Sequence, residues 1–116
     1  MTFILLAAAA ATLPPPLTPD EQAGLRCAAV LALVAEDQRS GRGFGDAPPT
    51  AAIGQTYMGI VGDAAAAVPG RDEQVVAGWL RGLAAAARRE GVPRPVLDRC
   101  LSRAAQTIAA DQAAAR

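Results

Sequence analysis

Residues 18–34 read TPDEQAGLRCAAVLALV, and this stretch decides the fold. Thr18 can cap a helix, Pro19 suits the first helical position, and Glu21 stands three residues after the cap, which completes a capping box. Asp20 and Glu21 also sit at the positive end of the helix dipole. Ala23, Cys27, Val30, Leu31 and Val34 then recur at helical spacing and form one apolar stripe, with Arg26, Glu36, Asp37 and Arg39 mostly off it. Ser40-Gly41 ends the segment. The stripe carries a cysteine, so this helix can be joined covalently to another.

Working outward, the pattern predicts three more helices. Residues 41–49, Gly-Arg-Gly-Phe-Gly-Asp-Ala-Pro-Pro, form a loop, because three glycines and two prolines exclude regular structure. A second helix starts near Thr50 and places Ile53, Tyr57, Ile60, Val61, Ala64 and Val68 on one face; Pro69-Gly70 stops it. Gly54, Gly59 and Gly62 each cost it about 1 kcal/mol against Ala, a loss that a close helix approach can partly recover. A third helix has Asp72 and Glu73 in its first turn and lines Val75, Val76, Trp79, Leu80, Leu83 and Ala87 inward. Arg88 and Arg89 suit its C-terminal dipole, and Gly91 caps it. After Pro93-Arg94-Pro95, a fourth helix carries Val96, Leu97, Cys100, Leu101, Ala104 and Ile108 on one face, and its Ala-rich end from Ala109 is expected to fray. No β-branched run alternates with period two, so no strand is expected. The fold class read here is all-α: a small four-helix up-down-up-down bundle with one disulfide, Cys27–Cys100, between the first and fourth helices.

Both cysteines fall on inward stripes of helices that are neighbours in such a bundle, so their Cα atoms can come within ~6 Å. Large apolar side chains are sparse, and a small domain of this kind has little net stability from its core alone. A crosslink of this reach restricts the unfolded chain by about 4.4 kcal/mol in the entropy model. A catalytic thiol is not expected, since the chain has no His to activate one and the cysteines are not spaced Cys-x-x-Cys.

The N-terminus fits an oxidising destination. Phe3 to Ala11 is an apolar run of secretory length ending in small residues, and Pro14-Pro15-Pro16 follows. No Arg or Lys precedes it, and it is too short to span a bilayer, which takes roughly 20 apolar residues. Residues 1–11 are therefore read as a signal peptide or short apolar segment, 12–17 as a Pro-rich linker, and 18–116 as one domain. The expected localisation is periplasmic or secreted, where disulfides persist.

Composition narrows function by exclusion. The 11 basic residues are all Arg and balance 11 acids, so no strong net field draws the chain to nucleic acid or anionic lipid. Ala fills about a quarter of the chain, a bias that goes with a GC-rich genome. Without His the usual general base and the commonest metal ligand are missing, and no EF-hand or haem-attachment spacing occurs. No catalytic, cofactor or metal residue is assigned. Gly41-x-Gly43-x-Gly45 lacks the strand and the spacing of a phosphate-cradling loop; Arg42 and Phe44 in that loop are kept as candidate partner contacts. Asp63 is read as solvated, and Tyr57 and Trp79 as core. Residues 71–103 hold seven Arg against four acids, read as a solvated face that also pairs with the acidic first helix.

The layout resembles that of short exported helical proteins that carry a cysteine pair, a resemblance of layout over nearly the whole mature chain that names no family; acid-stress periplasmic chaperones share the small, helical, single-disulfide plan. Their cysteine spacing is shorter and their chains richer in Lys, so no functional residue carries over. The expected function is a non-enzymatic binding or structural module of the cell envelope, with another envelope protein as its partner. The alternatives are a periplasmic stress chaperone and, if the N-terminus is not a signal, a cytoplasmic DNA-binding regulator.

Overall fold

The computed structural model describes residues 13–116, which form four α-helices: α1 (Pro19–Ser40), α2 (Ala51–Ala66), α3 (Glu73–Glu90) and α4 (Arg94–Ala114). The signal-peptide reading of residues 1–11 lies outside the described residues. The capping box at Thr18 forms as the sequence predicts: Thr18 Oγ1 accepts from the Glu21 N–H at 3.1 Å, and Glu21 Oε1 accepts from the Thr18 N–H at 3.0 Å. Gly41 closes α1 in the left-handed conformation, at φ 69°. Asp72 caps α3 by accepting from the Val75 N–H at 2.9 Å. Helix α4 runs on to Ala114 where fraying was expected; its last residues are exposed, and alanine's intrinsic helix preference is what favours the helix there.

Helix α1 packs against all three other helices, and so does α2, whereas α3 and α4 make no packing contact with each other. In a closed up-down-up-down ring the consecutive helices α3 and α4 would be neighbours. Here α1 and α2 form a central pair, and α3 and α4 each nest against both of them. The reason lies in α1: Ala28, Ala29, Val30 and Leu31 are four successive buried residues, so the helix is apolar over much more than one stripe and attracts cover from several sides. Gly54 lets the central pair approach, since a Cβ built there would lie 3.1 Å from Leu31 Cβ.

The larger core cluster includes Leu31, Val34, Tyr57, Leu97, Cys100 and Ala104. The Cys27–Cys100 disulfide joins α1 to α4 with a Cα–Cα separation of 5.1 Å. Tyr57 is fully buried, and its hydroxyl accepts from Arg103 Nε at 3.2 Å. A smaller cluster of Leu25, Ala65 and Val76 is covered by Leu17, Trp79 and Leu83.

Arg71 departs from the solvated face read for the basic half. Its side chain is buried, and its guanidinium donates to the Glu21 carboxylate at 2.6 and 3.0 Å and to the carbonyls of Pro15, Pro16 and Ala65. It also stands over the Trp79 ring, 5.5 Å from its centroid. One side chain thus ties the proline segment, the start of α1, the end of α2 and α3 together. The segment before α1 is packed against the domain, and Gly70, at φ 89°, admits it: a Cβ there would meet Pro15 Cδ at 2.9 Å. Burial is tolerated because every donor of the guanidinium has an acceptor. The hydrogen bond from Arg71, aided by the Thr18 N–H, lowers the Glu21 carboxyl from the usual 4.5 to about 2 against the opposing effect of burial.

Candidate functional site

Because α3 and α4 do not meet, the edge of α1 between them stays open, and two recesses follow it, with a third beside the proline segment. The first, about 520 Å³, lies between α1 and α4. Ala23, Cys27, Cys100 and Val96 give it an apolar lining, and Arg26, Arg99 and Arg103 supply charge. Arg26 directly precedes Cys27 and Arg99 directly precedes Cys100, so the bond between the cysteines brings the two arginines to the same cleft. A second recess, about 290 Å³, shares Arg26 and Val96 with the first and ends at Glu90 and the Gly91–Pro93 connector. A third, about 620 Å³, sets Leu13 and Leu17 against Gly78, Trp79, Gly82 and Leu83.

The first cleft has a one-signed charge lining: three arginines and no acid. Arg103 is already held, by Tyr57 and by Asp20 Oδ1 at 2.9 Å, and these partners raise its pKa further, Asp20 foremost. Among the described residues, Arg26 and Arg99 take part in no ion pair, and both are exposed. A guanidinium stays protonated at all physiological pH and offers a planar fork of donors that matches carboxylate and phosphate oxygens. The arrangement can hold an anion; it cannot exchange protons with a substrate near neutrality. Among the described residues no group of three or more His, Cys, Asp or Glu side chains is placed to hold a metal ion, and no helix is long and apolar enough to cross a membrane.

The cysteines singled out in the sequence are brought together; the other two candidate residues are occupied within the domain. Arg42 is exposed and lies 3.5 Å from Asp37 and 3.8 Å from Glu36. Phe44 is half-buried against the larger core cluster, with φ at 60°. Gln38 fixes this loop: its amide donates to the carbonyls of Phe44 and Pro48, and its oxygen accepts from the Thr50 N–H at 3.1 Å. Asp63 is exposed on α2, Tyr57 is core, and Trp79 is half-buried between Arg71 and the third recess.

Pairing of the basic half with α1 does occur, through Arg71–Glu21, Arg103–Asp20 and the longer Arg88–Asp37 contact at 3.9 Å. Sequence reasoning missed Arg26 and Arg99, which read as two solvated arginines among eleven. The available signal was the dipeptide Arg-Cys, which occurs at both cysteines: once these are bonded, the arginines beside them converge. The chain matches no protein-family model, no curated protein and no solved structure.

Proposed function

We propose that this chain is a non-enzymatic binding module of an oxidising, extracytoplasmic compartment that holds another envelope protein along the open edge of α1. The observation that carries the reading is the disulfide-lined cleft with two exposed arginines that take part in no ion pair among the described residues. A crosslink in the lining of the cleft limits relative motion of α1 and α4, and a preorganised surface loses less entropy on binding. Arg is also enriched among the residues that dominate protein interfaces. The polar lining supports binding over catalysis, since arginine holds charge without titrating.

The test is affinity capture with the oxidised protein from its native envelope fraction, followed by mass spectrometry. A binding module recovers one or a few proteins reproducibly and stays folded throughout. Recovery of nothing above a bead control refutes it, and recovery of many unrelated proteins points to a chaperone instead.

The chaperone reading has one specific observation in its favour. The Glu21–Arg71 pair holds the proline segment beside Trp79 and Leu83, and Glu21 protonates only near pH 2. Strong acid would remove the ion pair that positions Arg71 and so weaken its hold on the Pro15 and Pro16 carbonyls, loosening the segment over apolar surface. Binding of a hydrophobic dye that rises near pH 2, together with suppression of client aggregation there, would favour this alternative; an unchanged dye signal removes it.

A further inference from the structure

We infer that the cleft between α1 and α4 takes an acidic segment of the partner protein, with one carboxylate on Arg26, a second on Arg99, and an apolar side chain between them on Val96 and the disulfide. This deepens the binding-module reading and rests on it.

Four observations lead to this occupant. First, the cleft lining holds three arginines and no acid; Asp20 beside it pairs with Arg103, while Arg26 and Arg99 have no internal ion pair among the described residues. Complementary charge is what sets register and rejects wrong partners at such a surface. Second, its remaining lining is mostly apolar: Pro19, Ala23, Cys27, Cys100 and Val96, with Gln22 the one uncharged polar side chain. An occupant must therefore carry an apolar group between its charges, which excludes a bare inorganic anion. Third, the first two recesses follow α1 from Pro19 to Val30. Eleven helical steps at 1.5 Å span roughly 16 Å, enough for a short peptide segment. The far recess ends at Glu90, so the occupant's carboxylates belong on Arg26 and Arg99 and not at the connector. Fourth, guanidinium forks pair with carboxylates in a bidentate, planar geometry.

Nucleic acid suits the site less well. It presents a repeating phosphate track, for which one cleft with Arg26 and Arg99 on a chain of zero net charge gives little purchase. A membrane surface suits it less well too, because the arginines line a recess and a bilayer presents a broad interface.

The test uses the full oxidised protein and two capped synthetic peptides. One carries Glu at positions i and i+4 with Leu between them; the other carries Lys in place of Glu. Binding is followed by the chemical shifts of backbone amides and arginine Nε–H groups. The expected result is that the Glu peptide shifts Arg26, Arg99 and their neighbours, and the Lys peptide does not. Arg26→Gln with Arg99→Gln should weaken binding about tenfold, the sum of two exposed charge pairs. Arg26→Glu with Arg99→Glu should invert the preference toward the Lys peptide. Both sites are exposed, so the fold is retained, and the undisturbed Tyr57 and Trp79 resonances verify it. Shifts centred elsewhere, equal binding of both peptides, or unchanged affinity in the Gln double variant would overturn the assignment. So would occupancy of the cleft by anionic vesicles when the Glu peptide does not bind.

Affinity capture separates this proposal from the reading beneath it. If wild type and the Gln double variant recover the same partner, the chain is a binding module and the cleft is not its site. If neither recovers anything, the module reading falls, while the peptide titration still decides what the cleft accepts.

Discussion

Reducing the Cys27–Cys100 bond should lower the melting temperature by roughly 20 °C. The cysteines are 73 positions apart in sequence. In the loop-closure model, a crosslink of that length removes about 15 cal/mol/K from the unfolded ensemble, or about 4.4 kcal/mol at 25 °C. For a domain near 100 residues, 1 kcal/mol moves the midpoint by about 4–8 °C, and the lower coefficient suits this length. Two variants separate the crosslink from the packing of its atoms. The reduced wild type keeps both side chains, of which Cys100 is only 3% exposed, and loses only the bond. Cys27→Ala with Cys100→Ala also loses buried sulfur and should melt at or below the reduced protein. Circular dichroism at the helical band gives the midpoints, and urea titration adds a second readout. The oxidised unfolded chain is more compact, so its denaturant dependence should be shallower than that of the reduced protein. A reduced protein melting within about 3 °C of the oxidised one would refute the reasoning, because the stability would then lie in packing and not in the unfolded chain. Alkylation of the unreduced, denatured protein should label neither cysteine.

Three further outcomes follow from local geometry. A Cβ at Gly59 or Gly62 meets nothing within 4 Å, so Ala at either site should raise stability by about 0.5–1 kcal/mol, whereas Gly54→Ala drives a Cβ to 3.1 Å from Leu31 and should lower it by about 1 kcal/mol; urea midpoints give the sign of each. Gln38→Ala leaves the N–H of fully buried Thr50 without its acceptor and should cost about 2 kcal/mol; a loss under 0.5 kcal/mol in the same assay would mean that the loop holds itself. Glu21 titrates near 2 in the folded chain against an ordinary 4.5, and a depressed carboxylate stabilises the fold above its unfolded pKa. The melting temperature should therefore hold steady from neutral pH to about 5 and fall between 4.5 and 2, and Glu21→Gln should remove that part of the slope.

The helices were legible because their signals are local. The capping box at Thr18 and the glycine stops at Gly41 and Gly91 act within a few residues, so the sequence around each is enough to place the boundary; Asp72, read as part of the first turn of α3, is its cap. The cysteine pair was legible because both residues lie on apolar stripes. Trp79 was expected in the core and is half-buried, since its outer side borders a recess. Gly54 and Gly59 look alike in the sequence, yet only Gly54 faces α1 closely.

By itself, the sequence determined four helices, the first with its capping box, an all-α class and a cysteine on each of two apolar faces, since propensity, capping and periodicity act over one or two turns. It did not determine that α1 and α2 form the centre, that Arg71 is buried, or that Arg26 and Arg99 share a cleft. Those facts depend on which helix faces meet across gaps of tens of residues. That choice was made by how much of α1 is apolar, by the one glycine that lets α2 approach it, and by the disulfide that carries two arginines to the same place.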